Sequence, residues 1–164
     1  MKTKRKISVA AYCLALILLV TILFGATGCD ILNILYGPTF EDVYEVIDNN
    51  FSVQLPQGGT LQYRVHGSHF LDNDHYYVIS YEQEPTEYIA DFSYEESEEL
   101  KEKFNSAIEC ILTGLEREGE TFNQDYAFNW EWEYCWKMID ADEDTLILIY
   151  RPETLQLYVC ENFM

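Results

Sequence analysis

The sequence predicts an α+β fold: a mostly antiparallel sheet of about five strands, with elements in the order αββαβββ and two helices on one face of the sheet. Two stretches repeat apolar side chains every three or four residues, which is typical of helices that cover a sheet. Several shorter stretches alternate apolar and polar residues, which is typical of strands with one buried face. Turn-forming residues separate these stretches, so consecutive strands can pair as hairpins.

The first predicted helix begins at Thr39. Asp42 follows three residues later, which is the spacing of a capping box. One helical face then carries the apolar residues Phe40, Val43, Tyr44, Ile47 and Phe51. The sequence Pro-Gln-Gly-Gly at residues 56–59 ends this unit, because proline and glycine disfavour a continuing helix.

A hairpin is predicted next. Leu61, Tyr63 and Val65 alternate with polar residues, which indicates a strand with one buried face. The turn-forming sequence Asp-Asn-Asp occupies residues 72–74, and residues 75–81 supply a second, mostly apolar strand. The two strands are therefore expected to pair with each other.

The second predicted helix is capped by Ser93. The sequence Ser-Tyr-Glu-Glu at residues 93–96 has the form of a capping box, and glutamates near a helix start suit the positive end of the helix dipole. One apolar stripe follows, formed by Leu100, Phe104, Ala107, Ile108, Ile111, Leu112 and Leu115. The stripe ends between Gly114 and Gly119, where the helix is expected to stop.

Three strands are predicted to close the chain. Residues 130–138 alternate large apolar side chains, three of them tryptophan, with other residues, so one face of this strand should join the core. The same aromatic face could instead form a platform for a sugar or a protein, since Trp and Tyr dominate such contacts. Residues 146–150 are apolar on both faces, as in an interior strand, and residues 155–160 alternate again.

The first 29 residues have the order of a bacterial export signal. Basic residues stand at positions 2, 4, 5 and 6, an apolar run covers positions 7–24, and small residues lead to Cys29. The segment Ala26-Thr27-Gly28-Cys29 resembles the lipobox of bacterial lipoproteins, a family that usually has leucine at the position of Ala26. The resemblance implies cleavage between Gly28 and Cys29 and attachment of a diacylglycerol to the Cys29 thiol.

The chain is therefore expected to have three parts. Residues 1–28 form a signal peptide that is removed, residues 29–37 form a lipidated cysteine with a short tether, and residues 38–164 form a single globular α+β domain. Two alternatives stay open: residues 7–24 could remain as an uncleaved anchor, and residues 26–28 also suit ordinary secretory cleavage. Lipidation would attach the domain to the cell membrane through the lipid on Cys29, and an uncleaved anchor would attach it through residues 7–24. Both predict a domain on the extracytoplasmic side of the membrane.

The part that follows the leader is strongly acidic. All 29 acidic residues lie after position 28, whereas only six of the ten basic residues do, which gives a formal charge of −23. Such a charge argues against nucleic acid as a partner, because the phosphate backbone would be repelled. The negative charge is consistent with binding to a basic envelope protein. It is also consistent with an acidic surface that only contacts water. Its many aromatic residues distinguish this part from a disordered chain.

Three cysteines follow Cys29. Cys110 should lie opposite the apolar stripe of the second helix. If the last three strands pair in chain order, Cys135 and Cys160 lie on strands separated by a third, about 10 Å apart and too far for a disulfide. Free thiols are therefore expected, although a different strand order would reverse this.

All three histidines lie in one segment, residues 66–75. The candidate ligands for a metal ion are His66, His69, Asp72, Asp74 and His75. Imidazoles and carboxylates are ligand types that zinc uses, but a site needs three or four of them at one point. Strand alternation places His66 and His69 on opposite faces, which argues against a shared metal ion. A polar hairpin end also explains these residues. No metal or other cofactor is therefore predicted.

No catalytic motif stands out. The sequence Gly-Ser-His at residues 67–69 lacks the second glycine of a nucleophile elbow. Asp140, Asp142 and Asp144 have the spacing that begins a calcium loop, but Thr145 and Arg151 occupy the positions that need Gly and Glu. We therefore expect a non-catalytic protein-binding domain at the cell envelope. The alternative is a small-ligand or metal sensor built on residues 66–75, and an uncharacterised hydrolase comes third.

Overall fold

The computed structural model describes residues 39–66, 74–142 and 144–162. These ranges contain three α-helices: α1 (Phe40–Phe51), α2 (Thr86–Ile89) and α3 (Glu98–Glu118). They also contain five strands: β1 (Thr60–His66), β2 (His75–Ser80), β3 (Cys135–Ala141), β4 (Asp144–Arg151) and β5 (Gln156–Asn162). Two short 3₁₀ helices lie at Gln124–Tyr126 and Pro152–Thr154.

The five strands form one antiparallel sheet in the order β1-β2-β5-β4-β3. β1 and β2 make the predicted hairpin, and β3, β4 and β5 pair in chain order. The last strand then returns to pair with β2, which places β5 at the centre of the sheet. The predicted α+β class and the five-stranded antiparallel sheet are therefore confirmed.

The two long helices lie on opposite faces of the sheet, and the prediction that both lie on one face is wrong. Phe40, Val43 and Ile47 of α1 share a buried cluster with one face of the interior strands. Leu100 and Ile111 of α3 belong to a second cluster on the other face. The reason is that β2, β4 and β5 are apolar on both faces, so each face needs its own cover.

The start of α1 follows the prediction. Thr39 is the N-cap: its side chain accepts a hydrogen bond from the Asp42 backbone N–H, and the Asp42 carboxylate accepts one from the Thr39 backbone N–H at 2.6 Å. This reciprocal pair satisfies two backbone donors that a helix start leaves unpaired. The helix ends at Ser52, which takes a left-handed conformation with φ of 53°.

The start of α3 does not follow the prediction. The N-cap is Ser97, whose side chain accepts from the Leu100 backbone N–H at 3.2 Å, and the helix ends at Gly119 with φ of 76°. Ser93 instead exchanges two backbone hydrogen bonds of 2.8 Å with Trp136. Pairing with β3 holds Ser93 in an extended conformation, so the helix cannot begin there.

The aromatic segment before β3 is not a strand, contrary to the prediction. β3 begins only at Cys135, because Asn129 makes a tight turn before it. The Asn129 side chain accepts a hydrogen bond from the Glu131 backbone N–H, and the Asn129 backbone carbonyl accepts one from the Trp132 N–H. The rings of this segment pack edge-to-face against the α3 side of the core, as Phe128 does against Trp130 at 5.0 Å. The expectation that these aromatics belong to the core is thus confirmed.

A bulge in β1 changes which face its residues occupy. The register with β2 shifts between Leu61 and Tyr63, so these two side chains leave opposite faces of the sheet instead of the same one. The same shift places Arg64 opposite Tyr77 and His66 opposite His75, on the face that α1 covers. A bulge of this kind re-aims the rest of its strand.

The cysteines lie as expected. Cys110 is exposed on α3, and Cys135 and Cys160 are buried in the clusters on opposite faces of the sheet. β4 separates the strands that carry Cys135 and Cys160. No disulfide joins any two cysteines within the described ranges.

The cap of α3 gives a test of this fold. We expect Ser97→Ala to lower the free energy of unfolding by about 1 kcal/mol, because the Leu100 N–H loses its acceptor. Ser97→Asp keeps an acceptor and should retain the stability. The measurement is urea unfolding of the full chain in non-ionic detergent, followed by tryptophan fluorescence.

Ser106→Ala, at an exposed position within the same helix, is the matched control and should not lose stability. A loss of about 1 kcal/mol in Ser93→Ala with none in Ser97→Ala would show that the helix is capped at Ser93 after all.

Candidate functional site

The structure describes three of the five candidate metal ligands. His69 and Asp72 lie outside the described residues, as do Gly28 and Cys29. His66 and His75 are Cα partners at the end of the β1–β2 hairpin, beside the residues that connect the two strands. The sequence had suggested a polar hairpin end here, and these two imidazoles meet on one face of the sheet.

The two imidazoles are in direct contact. The Nδ1 atoms of His66 and His75 are 2.5 Å apart, and the rings meet edge-on with centroids 4.7 Å apart. One nitrogen must carry the hydrogen and the other must accept it, so the contact cannot survive with both rings protonated. Burial, the neighbouring His66 and the charge of Arg64 lower the pKa of His75 to about 4.

Asp74, which directly precedes His75, is also buried. It is 2% exposed and neighbours Cys160, whose pKa is raised by burial and then by the charges of Asp74 and Glu161. Within the described ranges, no three His, Cys, Asp or Glu side chains come close enough together to hold a metal ion.

Glu161 is the residue that the sequence interpretation missed. It is the Cα partner of His75 on β5, so His66, His75 and Glu161 form one transverse row on the α1 face. Its side chain is 0% exposed, and its Oε2 accepts a hydrogen bond from Asn50 at 3.5 Å. Its Oε1 has no hydrogen-bond partner within the described part of the chain.

Burial controls the chemistry of Glu161. Loss of hydration raises the pKa of its carboxyl group to about 7, although Tyr77, Asn50 and the charge of Arg64 oppose the shift. The carboxyl group is thus protonated in mildly acidic solution and ionised in mildly basic solution. It can exchange a proton near neutral pH, but it is too deeply buried for a substrate to reach it in this conformation.

Tyr77 and Arg64 complete the group. The Arg64 guanidinium carbon lies 6.0 Å from the centre of the Tyr77 ring, and the His75 ring stacks on the same ring at 5.9 Å. The Arg64 Nε atom is buried and has no hydrogen-bond partner among the described residues. The sequence signal for this cluster was weak, because Arg64 and Glu161 occupy positions that look like the solvated side of a strand.

The acidic segment after β3 forms the predicted turn. β3 ends at Ala141 and β4 begins at Asp144, and Asp142 adopts a left-handed conformation with φ of 57°. The Asp140 carboxylate accepts hydrogen bonds from Lys103 at 3.0 Å and from Thr145 at 2.8 Å, and both lower its pKa. Asp140 therefore ties the turn to α3.

The remaining charges form an anionic shell. Apart from Asp42, Asp48, Asp74, Asp144 and Glu161, every acidic residue in the described ranges is exposed. Among the described residues, most basic side chains are already paired with carboxylates of the same chain; these pairs are Lys101 with Glu96 and Glu98, Lys103 with Glu99 and Asp140, Lys137 with Asp91, and Arg151 with Glu153. The surface consequently offers many unpaired carboxylates and few free positive charges.

The chain stands apart from known proteins in all three comparisons: no family model, no curated protein and no solved structure matches it. Within the described ranges, none of the helices is both long enough and apolar enough to span a membrane.

Glu161→Gln should make stability less dependent on pH. The folded-state pKa of about 7 is raised from 4.5, so the wild type has its full stability below pH 4.5 and loses stability as pH rises through 7. Glutamine cannot ionise. We expect the variant to match the wild type near pH 4 and to exceed it by about 3 kcal/mol near pH 8. Urea unfolding across this range measures the difference.

Glu102→Gln is the matched control, since it removes one negative charge from an exposed position on α3. Its difference from the wild type should stay within about 0.5 kcal/mol at every pH. A difference between Glu161→Gln and the wild type that does not change with pH would mean that Glu161 ionises in the folded protein as readily as in water.

Proposed function

We propose that this chain is a lipid-anchored, extracytoplasmic binding domain with no catalytic role, which docks a basic protein at the cell envelope. The anionic shell is the observation that carries this proposal. Unpaired carboxylates cover the described surface, while four of the six lysines and arginines in the described ranges form ion pairs within the chain. A cationic partner meets attraction over much of such a surface, which speeds and orients encounter.

The anchor rests on the sequence of the first 29 residues. A basic head, an apolar run and the lipobox-like segment that ends at Cys29 support export followed by lipidation. Two acyl chains on one cysteine provide the two signals that stable membrane attachment requires. Retention of residues 7–24 as an anchor would leave the domain on the same side of the membrane.

Cys29→Ala tests the anchor. We expect the variant to incorporate no labelled fatty acid in growing cells and to lose membrane attachment or accumulate unprocessed, because the acceptor thiol is gone. Cys110→Ala, which removes an exposed thiol of the described domain, is the control and should leave labelling unchanged. Labelling that persists in Cys29→Ala would refute lipidation at this residue.

Salt-dependent binding tests the partner chemistry. The probe is a fluorescent ten-residue peptide of alternating lysine and glycine, and the protein is the full chain in non-ionic detergent. Raising sodium chloride from about 50 mM to about 500 mM should weaken binding about tenfold or more, because salt screens the attraction between carboxylates and ammonium groups. A peptide with glutamate in place of lysine should not bind. Affinity that does not change with salt would contradict the proposal.

A further inference from the structure

Arg64 and Glu161 lie near each other on the α1 face of the sheet without forming an ion pair. Arg64 is on β1 and Glu161 is on β5, so the two residues flank β2. Their Cα partners on β2 are Tyr77 and His75, which are two residues apart and therefore on the same face. Neither charged residue takes part in an ion pair within the described ranges.

Each of the two side chains has a buried polar atom with no hydrogen-bond partner in the described part of the chain. These atoms are Nε of Arg64 and Oε1 of Glu161. The first is a donor and the second is an acceptor, so each is the kind of partner that the other lacks. Leaving both unpaired costs free energy that contact between them would recover.

Tyr77 connects the two side chains. The guanidinium carbon of Arg64 lies 6.0 Å from the centre of the Tyr77 ring, and an aromatic ring attracts a cation at this range. After burial, the charge of Glu161 is the largest cause that raises the pKa of Tyr77, so the phenol lies close to the carboxyl group and stays neutral. Arg64 therefore has to move only along the Tyr77 side chain to reach Glu161.

Arg64 is the cation closest at hand for Glu161. Titratable or charged side chains surround the carboxyl group from three strands: Arg64 on β1, His75 and Tyr77 on β2, and Asp144 on β4. α1 contributes the uncharged amide of Asn50. The negative charge of Asp144 raises the pKa of Glu161, and His75 stays neutral until the pH falls to about 4. Of this set, Arg64 alone carries a positive charge near neutral pH.

We propose that Arg64 and Glu161 form a pH-sensitive switch: when Glu161 loses its proton to solvent, the Arg64 guanidinium leaves the Tyr77 ring and forms an ion pair with the Glu161 carboxylate. The Arg64 Nε–H then donates to Oε1 of Glu161. Burial raises the pKa of Glu161 to about 7, so the switch operates near neutral pH. It goes beyond the proposed function, because it does not require the basic partner.

The protonation state decides which position of Arg64 is favoured. Beside a protonated Glu161, a fully buried guanidinium would lack a counter-charge, which is costly, so Arg64 stays half-buried at the Tyr77 ring. Once Glu161 is ionised, attraction between opposite charges in the protein interior exceeds the attraction of a cation to a ring. A single proton thus selects between two discrete arrangements.

Water is a less favourable partner for the ionised carboxylate. Glu161 is 0% exposed, and Asn50 at the end of α1 lies against it. Hydrating the carboxylate requires the covering chain to lift, and this gives up apolar contacts of α1. Pairing with Arg64 requires a change of side-chain rotamer alone.

Nuclear magnetic resonance of the full chain in non-ionic detergent tests the switch. The chain has four arginines, so ¹⁵N-labelled arginine gives few Nε–H signals. Labelled glutamate carboxyl carbons report the ionisation of Glu161. Between about pH 5 and about pH 9, the Arg64 Nε–H proton should shift to higher frequency, because a charge-assisted hydrogen bond forms. Its midpoint should equal that of the Glu161 carbon.

Three variants complete the experiment. Glu161→Gln should abolish the pH response of the Arg64 signal. Arg64→Gln should raise the pKa of Glu161 by about 1, because the ionised form loses its counter-charge. Arg117→Gln is the matched control, since it removes the same charge from an exposed position on α3, and it should leave the pKa of Glu161 unchanged.

Two results would overturn the switch. Titration of Glu161 without any change in the Arg64 signal would show that the carboxylate is stabilised where Arg64 does not reach. A pH response of Arg64 that persists in Glu161→Gln would show that another group drives it. Both results come from the wild type and Glu161→Gln, so they decide the question even if Arg64→Gln fails to fold.

Discussion

Burial of both faces of the sheet is the constraint on which the rest of this structure depends. β4 presents Leu146 and Leu148 to α1 and Ile147 to α3, and all three are 0% exposed. Each such side chain contributes about 1.5–3 kcal/mol relative to full exposure. A surface ion pair contributes at most about 1 kcal/mol, so the position of the two helices is decided by apolar burial and not by charge.

The same constraint explains where the polar residues lie. With both faces covered, charged side chains are left for the helix exteriors, the turns and the sheet ends, and this produces the anionic shell. Glu161, like Asp74, is buried instead; β5 is the central strand, and the residues at its end still lie beneath α1. A carboxyl group held there keeps its proton until the pH approaches 7, whereas His75 in the same row stays neutral until the pH falls to about 4.

Much of the fold could be predicted from local patterns, because they depend on neighbours in the chain. The cap at Thr39, the β1–β2 hairpin and the interior character of residues 146–150 are of this kind. The cap at Ser97 could not be chosen over Ser93, because the decision depends on a bridge to Trp136, 43 residues away in the chain. The bulge after Leu61 was equally hidden, since an extra residue in a strand leaves no local signature.

The candidate sites were harder to predict than the fold for the same reason. His66 and His75 could be assigned to a polar hairpin end, but their contact depends on the register of β1 on β2. Glu161 joins them only because β5, from the far end of the chain, pairs with β2.

The proposed anchor and the charge of the domain have a joint consequence. A body of charge −23 attached to a bilayer with anionic headgroups is repelled by them over roughly one Debye length, about 8 Å at physiological ionic strength. Repulsion over this range opposes adsorption of the domain to the lipid surface, so its carboxylates stay in contact with water. A basic partner then competes only with mobile cations for these carboxylates.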